Sequence, residues 1–361
     1  MNIDNLPFYY KTLEKKNSSY PETMPFNLVF DEELLMYRQV TNVELKNTLQ
    51  KIYKEGSLVE GSLSNESGDV YVSKILEYLD SNINLEKKSL LEIGCGDGTM
   101  LAEFDKHGAF VLGIEPGTHK NKVFSNRIKI IRDFFPSQLI DGEFDIIFSY
   151  GVLEHIEEPV QFIINQKKYL KEDGKIIICV PNIEPCLIAG DISMFIHEHF
   201  NYFTSESLSK TINMAGLFVD SLIEIEGVLL AIVSYNDKSK YRSSFQLNKK
   251  KFEKGVDKLI SQLKTKLSTY EESDIAVYPA MRALNYMAIL GMKNCRLIDD
   301  NTKLHNKYLP YTNKTIESFQ QLISAPPKLI VIFSRTFGQR IKDKCNSHPR
   351  LQNTKIITLD E

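Results

Sequence analysis

Gly94, Gly96 and Gly98 stand at alternate positions in Leu90-Leu91-Glu92-Ile93-Gly94-Cys95-Gly96-Asp97-Gly98-Thr99, and a second apolar run, Val111 to Ile114, ends in Glu115. A residue without a Cβ lets the chain turn sharply and lets a ligand reach the backbone. An acid 23 residues after Glu92 falls where a carboxylate at the tip of a second strand accepts the hydroxyls of a ribose. This is the chemistry of holding a nucleoside. Thr99 occupies the place where a dinucleotide fingerprint wants its third glycine, which disfavours nicotinamide and flavin cofactors. The other chemically rich stretch is Ile196-His197-Glu198-His199-Phe200-Asn201-Tyr202-Phe203. An imidazole that titrates near neutrality can take a proton, and a neighbouring carboxylate can fix its tautomer. The same residue types bind metals, but no third partner stands at a recognisable spacing, so no metal is expected.

Positioning these residues requires an α/β alternation, and the apolar runs supply one. Strands are expected near 90–94, 110–114, 128–131, 144–149, 175–180, 217–224 and 228–235, with helices between the first five. The organisation expected is a mostly helical or irregular lid segment over 1–80, a nucleoside-binding domain over 81–237, a helical linker over 238–272 and a smaller α/β domain over 273–361. Within the lid, helix is expected from Asp31 to about Tyr53 and again from Val70 to Leu79. The last domain echoes the first, since Val277 to Asp299 is the same interval as Ile93 to Glu115. The echo has no glycine loop, so any phosphate contact there falls to a helix N-terminus with Arg282 close by.

Glu92-x-Gly94-x-Gly96-x-Gly98 resembles the first motif of class I S-adenosylmethionine-dependent methyltransferases. The resemblance implies a Rossmann-like, seven-stranded, mostly parallel sheet, with S-adenosylmethionine as cofactor. It implies that Glu92, Gly94, Cys95, Gly96 and Gly98 line the methionine part of the donor and that Glu115, beside Pro116, binds its ribose. Asp133 would accept from the adenine amino group with Phe134 stacking, and Ser149 and Tyr150 would lie near the transferable methyl. The run ending Gly151-Val152-Leu153-Glu154-His155-Ile156 is similar to the strand-four segment of small-molecule members, where Glu154 and His155 serve equally well to orient a loop.

The His197-to-Phe203 segment resembles the His-Glu-His-x-x-Tyr-Phe of nucleotide-sugar C-methyltransferases, and that resemblance covers most of the chain. It implies His199 as the acceptor-side base, assisted by Glu198 and with Tyr150 near the reaction centre, and His197, Tyr202 and Arg282 on the acceptor side. The C-terminal domain would hold the acceptor's nucleotide. Departures are clear: no cysteine precedes Leu90, so the family's N-terminal zinc module is absent, and Ile196 replaces a tyrosine before His-Glu-His. The reading is methyl transfer to a nucleotide-linked sugar or related carbohydrate. The alternatives are O-methylation of another small metabolite, or a non-catalytic nucleoside-binding subunit.

Composition bounds the partners. With 361 residues the chain can bury a large core, and a net charge of -3 gives no bulk support for nucleic-acid or membrane binding. No apolar run reaches the roughly 18 residues of a membrane span, and the N-terminus lacks a signal-peptide pattern, which makes a cytoplasmic protein the expectation. Cys95, Cys179, Cys186, Cys295 and Cys345 form no paired framework and read as reduced, mostly buried thiols. The expected partner is a small-molecule acceptor, and an oligomer is compatible with the sequence.

Overall fold

The computed structural model describes residues 1–8, 12–14, 20–55, 66–117, 127–236, 241–312, 314–335 and 337–360. In chain order its elements are β1 (Asn2–Pro7), β2 (Thr23–Asp31), β3 (Met36–Gln39), α1 (Val43–Glu55), α2 (Glu66–Asn82), β4 (Ser89–Ile93), α3 (Thr99–Lys106), β5 (Phe110–Ile114), β6 (Lys129–Ile131), β7 (Phe144–Tyr150), α4 (Pro159–Lys167), β8 (Leu170–Pro181) and α5 (Glu184–Ala189). There follow β9 (Asn201–Tyr202), α6 (Ser205–Met214), β10 (Phe218–Ile225), β11 (Val228–Ser234), α7 (Lys249–Leu267), β12 (Ile275–Tyr278), α8 (Ala280–Leu290), β13 (Arg296–Ile298), β14 (Tyr308–Leu309), β15 (Lys314–Glu317), α9 (Phe319–Ser324), β16 (Leu329–Ile332), α10 (Gly338–Asn346) and β17 (Lys355–Thr358). They divide into two compact units. One comprises Leu28–Glu184 and Glu198–Leu247, the other Met1–Asn27, Pro185–His197 and Asn248–Glu361.

The first unit is built on a seven-stranded sheet of order β10-β11-β8-β7-β4-β5-β6. The pairs from β6 to β8 are parallel, and β10 and β11 form the antiparallel edge, with Leu229 opposite Val180. This is the seven-stranded, mostly parallel sheet that the resemblance implied. Ile176 to Val180 of β8 are all buried, the continuous apolar run of a strand covered on both faces. Alternation splits the strands between two cores. Leu91, Ile93 and Ile147 enter one cluster; Leu90, Ile146 and Phe148 enter the other, with Phe104 of α3 edge-on to Phe148 at 5.0 Å. Each such fully buried side chain is worth about 1.5–3 kcal/mol. The chain runs outward from β4 to β6 and then returns to β7, so the β4–β7 seam is where strand order reverses, the place at which open α/β sheets bind ligands.

The second unit holds a sheet of order β14-β15-β13-β12-β16-β17, parallel except for β14. It repeats the pattern, outward from β12 to β13 and β15, then back to β16 and β17.

One expectation needs correction. Residues 1–40 were read as helical or irregular, with a helix opening at Asp31, yet they contain three strands and helix begins only at Val43. The burial of Met24, Phe26 and Leu28 alternates with exposed Pro25, Asn27 and Val29, a period of two that the prolines masked. In the smaller α/β domain the strand β15 passes directly into the short α9. Ser318 is the boundary: its side chain accepts from Gln321 N–H and the Gln321 side chain returns the bond, a capping box. Residues 56–65 of the expected lid segment lie outside the described residues.

Candidate active site

The glycine loop fills the turn between β4 and α3. Gly94, Gly96 and Gly98 take φ of +71°, +54° and +83°, the left-handed region that favours glycine. A Cβ at Gly94 would meet Val152 Cγ2 at 2.5 Å, so this glycine lets the segment after β7 pack on the loop. A Cβ at Gly96 would meet nothing within 4 Å, and its backbone therefore borders open space. Glu115, immediately after β5, is buried, and its two carboxylate oxygens accept from Gly96 N–H at 3.0 Å and Gly117 N–H at 2.7 Å. Each oxygen of an ionised carboxylate has a further lone pair, so the acid can brace the loop and still accept ribose hydroxyls. An open backbone cradle with an acid beside it fits a nucleoside.

The other expected donor-side residues divide between surface and support. The Cys95 side chain is in the core, where burial, with Glu92 and Glu115 nearby, pushes its thiol far up, so only its backbone faces the loop. Glu92 is 3 % exposed and its Oε2 has no hydrogen-bond partner. Burial, with Asp97 and Glu115 nearby, raises it well above its ordinary value. Pro116 lies in the turn that Glu115 closes onto Gly117. The Asp133 carboxylate accepts from Phe134 N–H at 2.8 Å and Ser137 Oγ at 2.6 Å, which fixes the loop after β6, and Phe134 presents a 40 % exposed ring. At the end of β7, Ser149 pairs in register with Ile93; its Oγ is buried without a partner. Tyr150 packs half-buried against the core and marks the carboxyl edge of the strand.

Beyond Tyr150 the chain turns at Gly151 into a 3-10 turn, Leu153–His155, which carries Glu154 and His155. This turn is stitched to the segment that carries His199. Phe200 N–H donates to Glu154 O at 2.7 Å, and Asn201 Nδ2 to Ile156 O at 2.6 Å. From β3, Gln39 Nε2 donates to His199 O at 3.1 Å and Gln39 N–H to Phe200 O at 2.9 Å, while Tyr37 pairs with Tyr202. These bonds bring together Glu154, His155 and His199, whose ligand atoms all lie within 4.8 Å of one another. The His155 and His199 rings meet edge-on with centroids 4.8 Å apart, and Tyr202 borders His199 at 6.1 Å.

Burial decides the electrostatics of this cluster. It pushes Glu154 up to about 8, and it lowers His155 to about 4 despite the bond to Glu198 O. His199 is driven well down by burial and by the adjacent His155. Both imidazoles are therefore neutral at physiological pH, with lone pairs available. The Tyr53 hydroxyl of α1 donates to Glu198 O at 3.4 Å, and burial, with Glu198 and Glu154 nearby, raises it well above the usual phenol range.

His197 belongs to the second unit. It is 1 % exposed, its Nε2 lies 3.3 Å from Leu6 O, and its ring lies near Phe8 and Phe26, a fully packed histidine. Arg282, on the first turn of α8, donates to Met194 Sδ at 3.0 Å. Toward the N-terminus of α8, where a phosphate contact was expected, an acid already stands: Asp299 lies near enough to Ala280 N–H for the amide to favour its carboxylate form, although burial raises it overall. Sequence spacing did not reveal Tyr53, Gln39, or the union of Glu154 and His155 with His199. These contacts span 44 to 160 positions, and the only sequence signal was the Leu-Glu-His run after β7.

Residues 66–222 match the family model described as a methyltransferase domain. A ubiquinone biosynthesis O-methyltransferase of Coxiella burnetii is 29 % identical over 115 residues, covering 30 % of this chain and 49 % of that one. A tRNA U34 carboxymethyltransferase of Pseudoalteromonas translucida is 24 % identical over 208 residues, covering 52 % of this chain and 60 % of that one. The chain thus spans about half the length of the curated relatives it matches. Among solved structures, the 1,6-didemethyltoxoflavin-N1-methyltransferase of Burkholderia thailandensis aligns over 58 % of this chain and 94 % of its own, at 15 % identity and a TM-score of 0.42. Among the described residues no helix is long and apolar enough to cross a membrane.

Proposed function

From the class I methyltransferase domain over residues 66–222 we propose that the chain transfers a methyl group from S-adenosylmethionine to a small-molecule acceptor, a nucleotide-linked sugar or related carbohydrate. The observation that carries this reading is the meeting, at the β4–β7 seam, of an open glycine loop with the segment that leads from Ser149 and Tyr150 into the His199 cluster. S-adenosylmethionine, when bound, supplies a methyl carbon on an already activated sulfonium. The protein has then to hold the donor, align an acceptor atom and remove its proton. Gly96 opens the backbone to the donor and Glu115 faces its ribose. His199, a neutral imidazole with no hydrogen-bond partner on its ring among the described residues, takes the acceptor's proton, and Glu198 lies next to it in the chain. The carbohydrate acceptor rests on the His-Glu-His-x-x-Tyr-Phe resemblance. O-methylation of another metabolite is the second reading, favoured by the relative named as a ubiquinone biosynthesis O-methyltransferase.

The test is His199→Ala. Turnover with a labelled donor and a panel of nucleotide sugars should fall by about a hundredfold or more, while calorimetric affinity for S-adenosylhomocysteine changes little. Unaltered turnover discards His199 as the base, and absence of any homocysteine-product binding by the native chain discards the donor reading.

A further inference from the structure

The Glu154, His155 and His199 cluster has more order than one proton transfer requires. A backbone carbonyl can only accept, so the 2.8 Å contact between His155 Nδ1 and Glu198 O puts the ring proton on Nδ1. The lone pair is then on Nε2, which lies 3.9 Å from Glu154 Oε1. A carbonyl holding the far nitrogen is how proteins orient metal-binding histidines. Glu154 is 3 % exposed and its Oε2 accepts no hydrogen bond, a costly state for a carboxylate that a cation would relieve. His199 as a residue is 9 % exposed and the His155 side chain 18 %, so the cluster is not wholly sealed from solvent. The two ligand-bearing segments are already fixed to each other by the Phe200–Glu154 and Asn201–Ile156 bonds.

We propose that Glu154, His155 and His199 bind a divalent first-row transition-metal ion, of the zinc or manganese kind, and that its remaining coordination positions take an oxygen of the acceptor. Two imidazoles and one carboxylate suit such ions better than Ca2+ or Mg2+, which prefer all-oxygen sites. Three protein ligands leave room for an exogenous oxygen, the usual layout where the ion works on a substrate. The ion orients that oxygen and favours its deprotonated form. The assignment of the acceptor oxygen rests on the reading above; the binding of the ion does not. With the ion in place His199 is a ligand, and removal of the acceptor's proton passes from a bare imidazole to the ion's acidifying effect.

The full chain, stripped with a chelator and dialysed, is titrated with Co2+ and followed by visible absorption, beside Glu154→Gln, His199→Asn and the surface control His107→Ala. Thermal unfolding verifies that each variant is folded. The expected result is one Co2+ per chain with no thiolate charge-transfer band, displaced by Zn2+, with affinity lowered at least about tenfold in Glu154→Gln and in His199→Asn and unchanged in His107→Ala. Equal affinity in the native chain and both folded cluster variants, or a thiolate band, overturns the proposal. If neither cluster variant folds, His155→Gln carries the same comparison. S-adenosylhomocysteine calorimetry on the same samples keeps the two ideas apart: normal binding with no cobalt site defeats the metal alone, and a cobalt site without nucleoside binding defeats the methyl-transfer reading alone.

Discussion

The two parallel sheets solve the same opening in different ways. In one, β4 is followed by the five residues Gly94–Gly98 before α3 begins, and the acid after β5, Glu115, reaches across to Gly96 N–H. In the other, α8 begins at Ala280, with only Pro279 between it and β12, and the acid after β13, Asp299, lies near enough to Ala280 N–H for the amide to favour its carboxylate form. Interval, strand order and position of the acid all agree. What differs is the loop. A side-chain-free loop sets the acid beside open space, whereas without it the acid stands at the start of a helix, where its charge opposes an incoming anion. Topology therefore supplies a potential site in both sheets, and the glycines make it usable in one.

The comparison is broken most decisively at Gly96. Gly96→Val places a branched side chain in the open space and forces an unfavourable φ, so affinity for S-adenosylhomocysteine should fall by about a hundredfold or more, at a stability cost of roughly 1–3 kcal/mol. Calorimetry and thermal melts measure the two separately, and unchanged affinity would mean that the loop is not where the donor binds. At Asp299 the same logic anticipates a purely structural response. Asp299→Ala should destabilise by about 0.3–1 kcal/mol through loss of a carboxylate near the N-terminus of α8 while donor affinity stays constant; a loss of affinity would contradict the division of roles.

The smallest effect concerns the end of the first sheet away from the loop. Asp145 accepts from Ser89 N–H and Oγ and from Lys171 Nζ at 2.8–2.9 Å. Burial raises it, but these bonds outweigh burial and hold it well below the usual carboxylate range. A carboxylate depressed on folding stabilises above its unfolded value, near pH 4, and loses that contribution as pH falls toward the folded value. Because the pair is partly exposed, about 1 kcal/mol is at stake. Asp145→Asn should lower stability at pH 7 and flatten its decline between about pH 4 and 2. An acid-unfolding curve of unchanged steepness would assign that decline to other carboxylates.

What the sequence displayed was whatever lies close together along it. The glycine loop and Glu115 fall within 23 positions of Glu92, and the strands of both sheets announce themselves as apolar runs, so the sheet and its open glycine turn were legible. The histidine cluster was not. His197 and His199 looked like partners because they are two residues apart, yet His197 packs near Phe8 and Phe26 while His199 meets His155 from a turn 44 positions earlier. No local periodicity encodes a bond such as Gln39 to His199 O, so the partner of a functional side chain stayed hidden until the strands were paired. β1 to β3 were obscured for a related reason: prolines among the aromatics hid an alternation that burial makes plain.

Residues 185–197 interrupt the methyltransferase unit and belong with the C-terminal one, where Asn285 Nδ2 holds Ile192 O and Phe195 O at 2.8 and 2.7 Å. A span cut at 28 and 247 would therefore carry Ile192 and Phe195, both fully buried in the intact chain, as stranded grease with nowhere to go. Neither half is a detachable cassette. Any attempt to transplant residues 28–247 into another scaffold must shorten or repaint that excursion.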